Sequence, residues 1–131
     1  MAYRVYLVDD DKFLLNLYAV KFKNAGQDVS VFGGGREILA KLREEGALAP
    51  DVILLDVIMP DMDGFETLAT IRKESLAKGA KVIFLSNQGQ DSDIEKAKQF
   101  SADGYIIKAS AIPSEVFEET MRIVGKHIAN Q

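Results

Sequence analysis

Cysteine is absent from all 131 positions, which removes a disulfide framework, a thiolate metal site and a cysteine nucleophile at once. Histidine occurs once, as His127. A multi-histidine metal site therefore cannot form, and the position of His127 near the C-terminus predicts a surface residue. No apolar run approaches the length of a membrane span. The opening residues lack both the basic n-region and the long apolar core of a signal peptide. The expectation is a cytoplasmic chain without a membrane partner. A basic excess is missing too: 16 Lys and Arg against 20 Asp and Glu give a net charge of −4. That leaves no broad electrostatic footprint for nucleic acid, and none is expected as a partner.

What remains is an ordinary globular composition, 47% hydrophobic and 27% charged, in a length that suits one domain. Short apolar runs alternate with amphipathic stretches. Strands are predicted over Tyr3–Asp9, Val29–Phe32, Val52–Asp56, Lys81–Leu85 and Gly104–Ile107. Helical spacing fits Lys12–Ala25, Arg36–Glu45, Gly64–Glu74, Asp93–Ser101 and Ser114–Ile128. In the last, Val116, Phe117, Met121, Val124 and Ile128 share a stripe. Ser92 and Glu95 read as a capping box opening the fourth helix, and Pro113 suits the first turn of the fifth. Val52-Ile53-Leu54-Leu55 and Val82-Ile83-Phe84-Leu85 are apolar at every position, as expected of parallel strands covered on both faces. Five βα repeats with right-handed crossovers imply a doubly wound α/β fold. Its ligands belong outside the carboxyl ends of the strands. The last helix runs almost to residue 131, so a single domain over 1–131 with no output domain is expected.

The strand ends carry the chemistry. The first strand ends in Asp9-Asp10-Asp11, the third in Asp56, the fourth in Ser86 and the fifth in Lys108. Taken singly, each has a plain reading as a helix cap, a loop residue or a solvated lysine. Together they form a set. Clustered carboxylates raise one another's pKa unless a cation intervenes, and oxygen-only ligands favour a hard divalent ion such as Mg²⁺. An aspartate can also attack phosphorus to give an aspartyl phosphate, a reaction that needs in-line positioning and charge neutralisation above all. Mg²⁺ and Lys108 would supply the neutralisation, and Ser86 a hydrogen bond to a phosphoryl oxygen. Phosphoryl transfer onto Asp56 is the consistent reading.

At these positions the chain resembles the receiver domain of two-component response regulators. The resemblance rests on Val8-Asp9-Asp10-Asp11, on the segment Leu54 to Gly64 (LLDVIMPDMDG), on Ser86 and on Tyr105-Ile106-Ile107-Lys108, and it extends over nearly the whole chain. It implies a flavodoxin-like five-stranded parallel sheet in the order 2-1-3-4-5 with five helices. It makes Asp56 the phosphoacceptor, Asp10 a direct Mg²⁺ ligand, Asp9 a ligand mainly through a bound water, and the Ile58 backbone carbonyl a further ligand. Ser86 takes the place of the switch hydroxyl, Lys108 of the phosphate-binding lysine and Tyr105 of the aromatic rotamer switch. Asp11, one step beyond the usual acid pair, is assigned to capping the first helix. The implied protein is a switch rather than an enzyme. A sensor histidine kinase or histidine phosphotransfer protein loads it, an unidentified downstream protein reads its helix 4–strand 5–helix 5 face, and it is a monomer or a phosphorylation-dependent homodimer. Two departures stand out: Ala109 follows Lys108 where the family commonly has proline, and Pro113 lies five residues past Lys108 instead of four. A cis peptide before a non-proline costs about 3–4 kcal/mol, so the loop is either trans and rearranged or strained. The altered loop keeps open an alternative, a receiver-like interaction module that works without phosphorylation.

Other motifs fare worse. Asp61-Met62-Asp63-Gly64 resembles the DxDG of haloacid-dehalogenase-type phosphatases, but that motif needs its first Asp at the end of a buried strand, and here Met59-Pro60 intervenes. The same segment lacks the ligand pattern of an EF-hand. Pro60 to Gly64 is expected to turn into the third helix, with Asp63 near its positive end. Gly33-Gly34-Gly35 lacks the GK[ST] ending of a P-loop and reads as a permissive turn. A small metal-dependent phosphatase would need a substrate pocket that these short loops do not supply.

Overall fold

The structure, a computed structural model, describes residues 2–87, 89–108 and 111–129, the last four as backbone only. Ten elements alternate along the chain: β1 Arg4–Val8, α1 Lys12–Asn24, β2 Asp28–Phe32, α2 Gly35–Leu42, β3 Val52–Leu55, α3 Gly64–Lys73, β4 Lys81–Ser86, α4 Asp91–Gln99, β5 Gly104–Ile107 and α5 Pro113–Ala129. The strands form one sheet in the order β2-β1-β3-β4-β5, and every pairing is parallel. The doubly wound expectation holds.

Strand alternation divides the core into two layers. Val5, Leu7, Val52, Leu54, Ile83, Leu85 and Ile106 face α1 and α5, where Leu15, Tyr18, Phe22, Val116 and Val124 meet them. Tyr6, Val8, Ile53, Leu55, Val82 and Phe84 face the other way, against Ile38 and Leu39 of α2, Phe65, Leu68 and Ile71 of α3, and Ala97 of α4. All four residues of β3 are buried, so the strand leading to Asp56 has no freedom to slip. Each fully buried aliphatic side chain stabilises this arrangement by roughly 1.5–3 kcal/mol.

Caps fix where the helices begin. Asp11 accepts from the backbone N–H of Phe13 and Leu14 at 3.1 and 3.2 Å, the role expected of it. Asp63 and Glu66 form a capping box at α3. The box predicted at Ser92 and Glu95 is not the one formed. α4 starts two residues earlier than expected, at Asp91, and Asp93 accepts from the Gln90 backbone N–H. Asp93 is thus the third helical residue, the position that can reach back to the residue before the helix. α2 includes Gly35 and stops at Leu42, short of the expected Glu45. α5 begins at Pro113, one residue before the expected Ser114 and with Pro113 in its first turn as expected, and Val116 and Val124 are buried. Ala109, the side chain of His127 and that of Ile128 lie outside the described residues.

Candidate functional site

The register of the sheet builds the site. Val8 pairs with Leu55, and one step further the Asp56 N–H donates to Val8 O at 3.0 Å, so Asp9 and Asp56 leave neighbouring strands side by side. β3 ends at Leu55, which makes Asp56 the first residue beyond it. Ser86 pairs with Ile107, and Lys108 follows at once. All four residues, with Asp10, Asp11, Leu14, Ile58 and Asn87, line one open cavity of about 290 Å³. Leu14 and Asn87 were not singled out in the sequence, although Leu14 lies one helical turn past Asp10 and Asn87 directly follows Ser86.

Asp9 and Asp56 are buried while Asp10 is exposed, and carboxylate oxygens from the three lie within 4.8 Å of one another. Against them stands one described cation. Lys108 Nζ donates to Asp9 Oδ2 at 2.6 Å and lies 3.4 Å from Asp56 Oδ1, with 7% of its side chain exposed. The other Asp9 oxygen accepts from the Asp11 N–H at 2.9 Å. Burial, and then the charge of Asp9, push the Asp56 carboxyl up to about 7, although Lys108 opposes the shift. Burial alone would lower the Lys108 ammonium, but its hydrogen bond to Asp9 and the charge of Asp56 hold it above its ordinary value. Tyr18, buried on α1, feels the same charges. Its phenol is raised by burial, lowered by Lys108 and raised by Asp9 and Asp56.

One ammonium among three carboxylates leaves the pocket short of positive charge, and its donors are hard oxygens. That set fits a divalent cation such as Mg²⁺, which takes one or two carboxylates and keeps positions for other oxygens. Ile58 is 60% exposed at the rim. Tyr105 does not line the cavity. Its half-buried phenol hydrogen-bonds with Ser86 and is raised by burial, which the Ser86 bond partly offsets. Phe84 lies 6.2 Å from the Tyr105 ring, centroid to centroid.

Among the described residues no helix is long and apolar enough to cross a membrane. Residues 5–117 match the response regulator receiver domain. The chain is 32% identical over 108 residues to the DNA-binding response regulator MtrA of Mycobacterium tuberculosis, which covers 82% of this chain and 45% of that protein. It therefore spans less than half the length of such relatives. With the chemotaxis protein CheY of Halobacterium salinarum it shares 32% identity over 114 residues, 87% of this chain and 91% of that one. The solved chemotaxis response regulator CheY4 of Vibrio cholerae superimposes with a TM-score of 0.84 at 28% identity, covering 94% of this chain and 99% of that chain. A match over that span, together with a relative of almost the same extent, places the chain in the receiver domain family of two-component response regulators, whose members act as phosphorylation-dependent signalling switches.

Proposed function

We propose that Asp56 accepts a phosphoryl group from a phosphohistidine of a sensor kinase or phosphotransfer protein, and that the acyl phosphate switches binding of a downstream partner. The observation that carries this reading is the buried Asp56 carboxylate, with its raised pKa, opening onto a cavity shared with Asp9, Asp10, Ser86 and Lys108. In the transfer, an Asp56 oxygen forms a bond to phosphorus as the N–P bond to histidine breaks, and the nitrogen keeps that electron pair. Asp9, Asp10, Asp56 and the Ile58 carbonyl would hold Mg²⁺, which offsets the negative charge of the phosphoryl oxygens. Lys108, already within 3.4 Å of Asp56, ion-pairs with the transferred group. Ser86 leaves Tyr105 to donate to a phosphoryl oxygen, and Tyr105 fills the space vacated. The groove among Ile94, Ala97, Lys98, Ala102 and Tyr105 then changes shape at the face between α4 and β5. This is a population shift sized by what the phosphoryl group contacts in one state and not in the other.

In this reading the receiver domain itself carries the switch. DNA binding belongs to the name of the MtrA relative, and the net charge of −4 here supplies no basic excess that would favour it. Incubation with a small phosphodonor and Mg²⁺, followed by intact mass measurement, tests the reading. One phosphoryl adduct is expected. A correctly folded parent that gains none from either the small donor or a kinase would favour the phosphorylation-independent module.

Phosphoryl lifetime gives a separate expectation. Ile58 presents an apolar side chain at the rim of the cavity, where a polar one would help to orient an attacking water. Slow self-dephosphorylation follows. Ile58→Asn should shorten the half-life of the adduct roughly three- to tenfold, the worth of about one hydrogen bond. Equal decay of variant and parent would rule out the water-access explanation.

A further inference from the structure

The outer turn of the loop between β3 and α3 is fastened to α2. Arg36, in the first turn of α2, donates through Nε to Asp61 Oδ2, and its Nη2 lies 3.5 Å from Asp61 Oδ1. Asp61 has a φ of 73°, in the left-handed region that most side chains avoid and Asp tolerates better than most. The Met62 N–H donates to Pro60 O at 2.8 Å and closes the turn. Beneath the ion pair the two elements meet directly. A Cβ on Gly35 would fall 2.3 Å from Thr67 Oγ1 and 2.9 Å from Met62 Sδ. The third glycine of Gly33-Gly34-Gly35 therefore has a use unrelated to phosphate binding: it lets the start of α2 sit against the loop.

The inner end of the same loop carries Asp56 and Ile58. Between the two ends Val57 and Met59 are buried, so the loop is pinned twice from below and once, by Arg36, from the side. We propose that the Arg36–Asp61 pair is a positioning contact for the phosphoacceptor loop, holding its outer turn so that the Ile58 carbonyl and side chain stand at the rim of the acidic pocket. The inference rests on the proposed role of Asp56. Arg36 touches neither the phosphoryl group nor the ion and acts only through Asp61. Both side chains are about two-thirds exposed, so the pair adds little to global stability. Its effect is local, on how much of the time the loop is in place.

The test uses the full chain as parent, Arg36→Ala, Arg36→Lys, Asp61→Asn and the Arg36→Ala/Asp61→Asn double variant. Asn keeps a residue at ease with positive φ while removing the charge. Amide hydrogen exchange over residues 57–63 of metal-free protein and calorimetric titration with Mg²⁺ are the readouts. Arg36→Ala and Asp61→Asn should each speed exchange in the loop and weaken Mg²⁺ binding by about two- to fivefold with an unchanged melting midpoint. The double variant should match either single one, and Arg36→Lys should fall between parent and Arg36→Ala. The proposal is overturned if Arg36→Ala leaves loop exchange and Mg²⁺ affinity at parental values, or if the two single effects multiply in the double variant. A parent that binds no Mg²⁺ would instead sink the reading of the pocket, and the exchange data would still decide whether Arg36 holds the loop.

Discussion

Asp56→Asn should abolish the phosphoryl adduct and at the same time make the metal-free protein more stable. The first effect follows from removing the nucleophilic oxygen; an adduct that survives would mean that another carboxylate accepts the phosphoryl group. The second follows from the pocket. Asp56 ionises beside the buried Asp9 carboxylate, and one ammonium serves both. Its folded-state pKa of about 7 lies above the ordinary carboxyl value of 3.8. A carboxyl shifted upward binds its proton more tightly in the folded state, so its contribution is fully present below about pH 4 and is lost as pH rises through about 7. The parent should therefore lose stability across that window in the presence of a chelator. The Asn variant, which keeps the Lys108–Asp9 bond and lacks the repulsion, should lose less. At pH 8 the difference should be on the order of 2 kcal/mol, or roughly 5–10 °C in the melting midpoint, and it should close by pH 4. Thermal melts at both pH values check it. A variant no more stable than the parent at pH 8 would show that the carboxylates are not in conflict. Saturating Mg²⁺ should narrow the gap, because the parent has the fuller carboxylate set.

Gly64→Ala should do the reverse and damage both stability and site. A Cβ there would lie 2.3 Å from the Asp56 carbonyl oxygen, 3.0 Å from Val57 Cα and 3.1 Å from the Asp56 carbonyl carbon. All three are backbone atoms, so no side chain can swing aside. The start of α3 must back away from the end of β3, stretching the 2.7 Å hydrogen bond from the Gly64 N–H to Val57 O and displacing the peptide that carries Asp56. Overpacking of this kind costs about 1–3 kcal/mol, and the weakened hydrogen bond adds about 1 more. A loss of about 3 kcal/mol, roughly 10 °C in midpoint, is expected, with much slower phosphorylation of whatever remains folded. Gly33→Ala is the control. A Cβ at Gly33 meets nothing within 4 Å, so its midpoint should stay near the parent's. Equal melting of Gly64→Ala and Gly33→Ala would refute the close-approach argument.

The fold was legible because its strands are short and nearly uniform. Val52-Ile53-Leu54-Leu55 and Val82-Ile83-Phe84-Leu85 admit only a position covered on both faces, and β5 lies where it was expected, at Gly104–Ile107. Helix ends were less legible. Two acids compete to cap α4, and only the backbone path decides that Asp93 reaches back to Gln90. Convergence of Asp9, Asp10, Asp56, Ser86 and Lys108 on one pocket followed from parallel topology, which brings every strand's carboxyl end to the same edge. The partner of Lys108 did not follow. Its bond to Asp9 depends on which way a flexible ammonium swings. Nor was the Arg36–Asp61 pair visible, since it joins an exposed residue of α2 to one in the loop after β3 and leaves no trace in hydrophobic periodicity.

The bond between Lys108 and Asp9 joins residues 99 positions apart in sequence, and Asp56 and Ser86 enter from two strands between them in the sheet. No run of elements shorter than that from β1 to β5 can assemble this pocket. β1 must pair with β3, β3 with β4 and β4 with β5 before Lys108 comes within reach of the acids. Such parallel, non-local pairings close large loops and form late compared with helices. The pocket is thus a marker of completed folding: a chain arrested with only β1, α1 and β2 in place would hold Asp9 and Asp10 without Asp56 or Lys108. A ligand that needs the whole pocket binds the native state alone and raises its population by mass action.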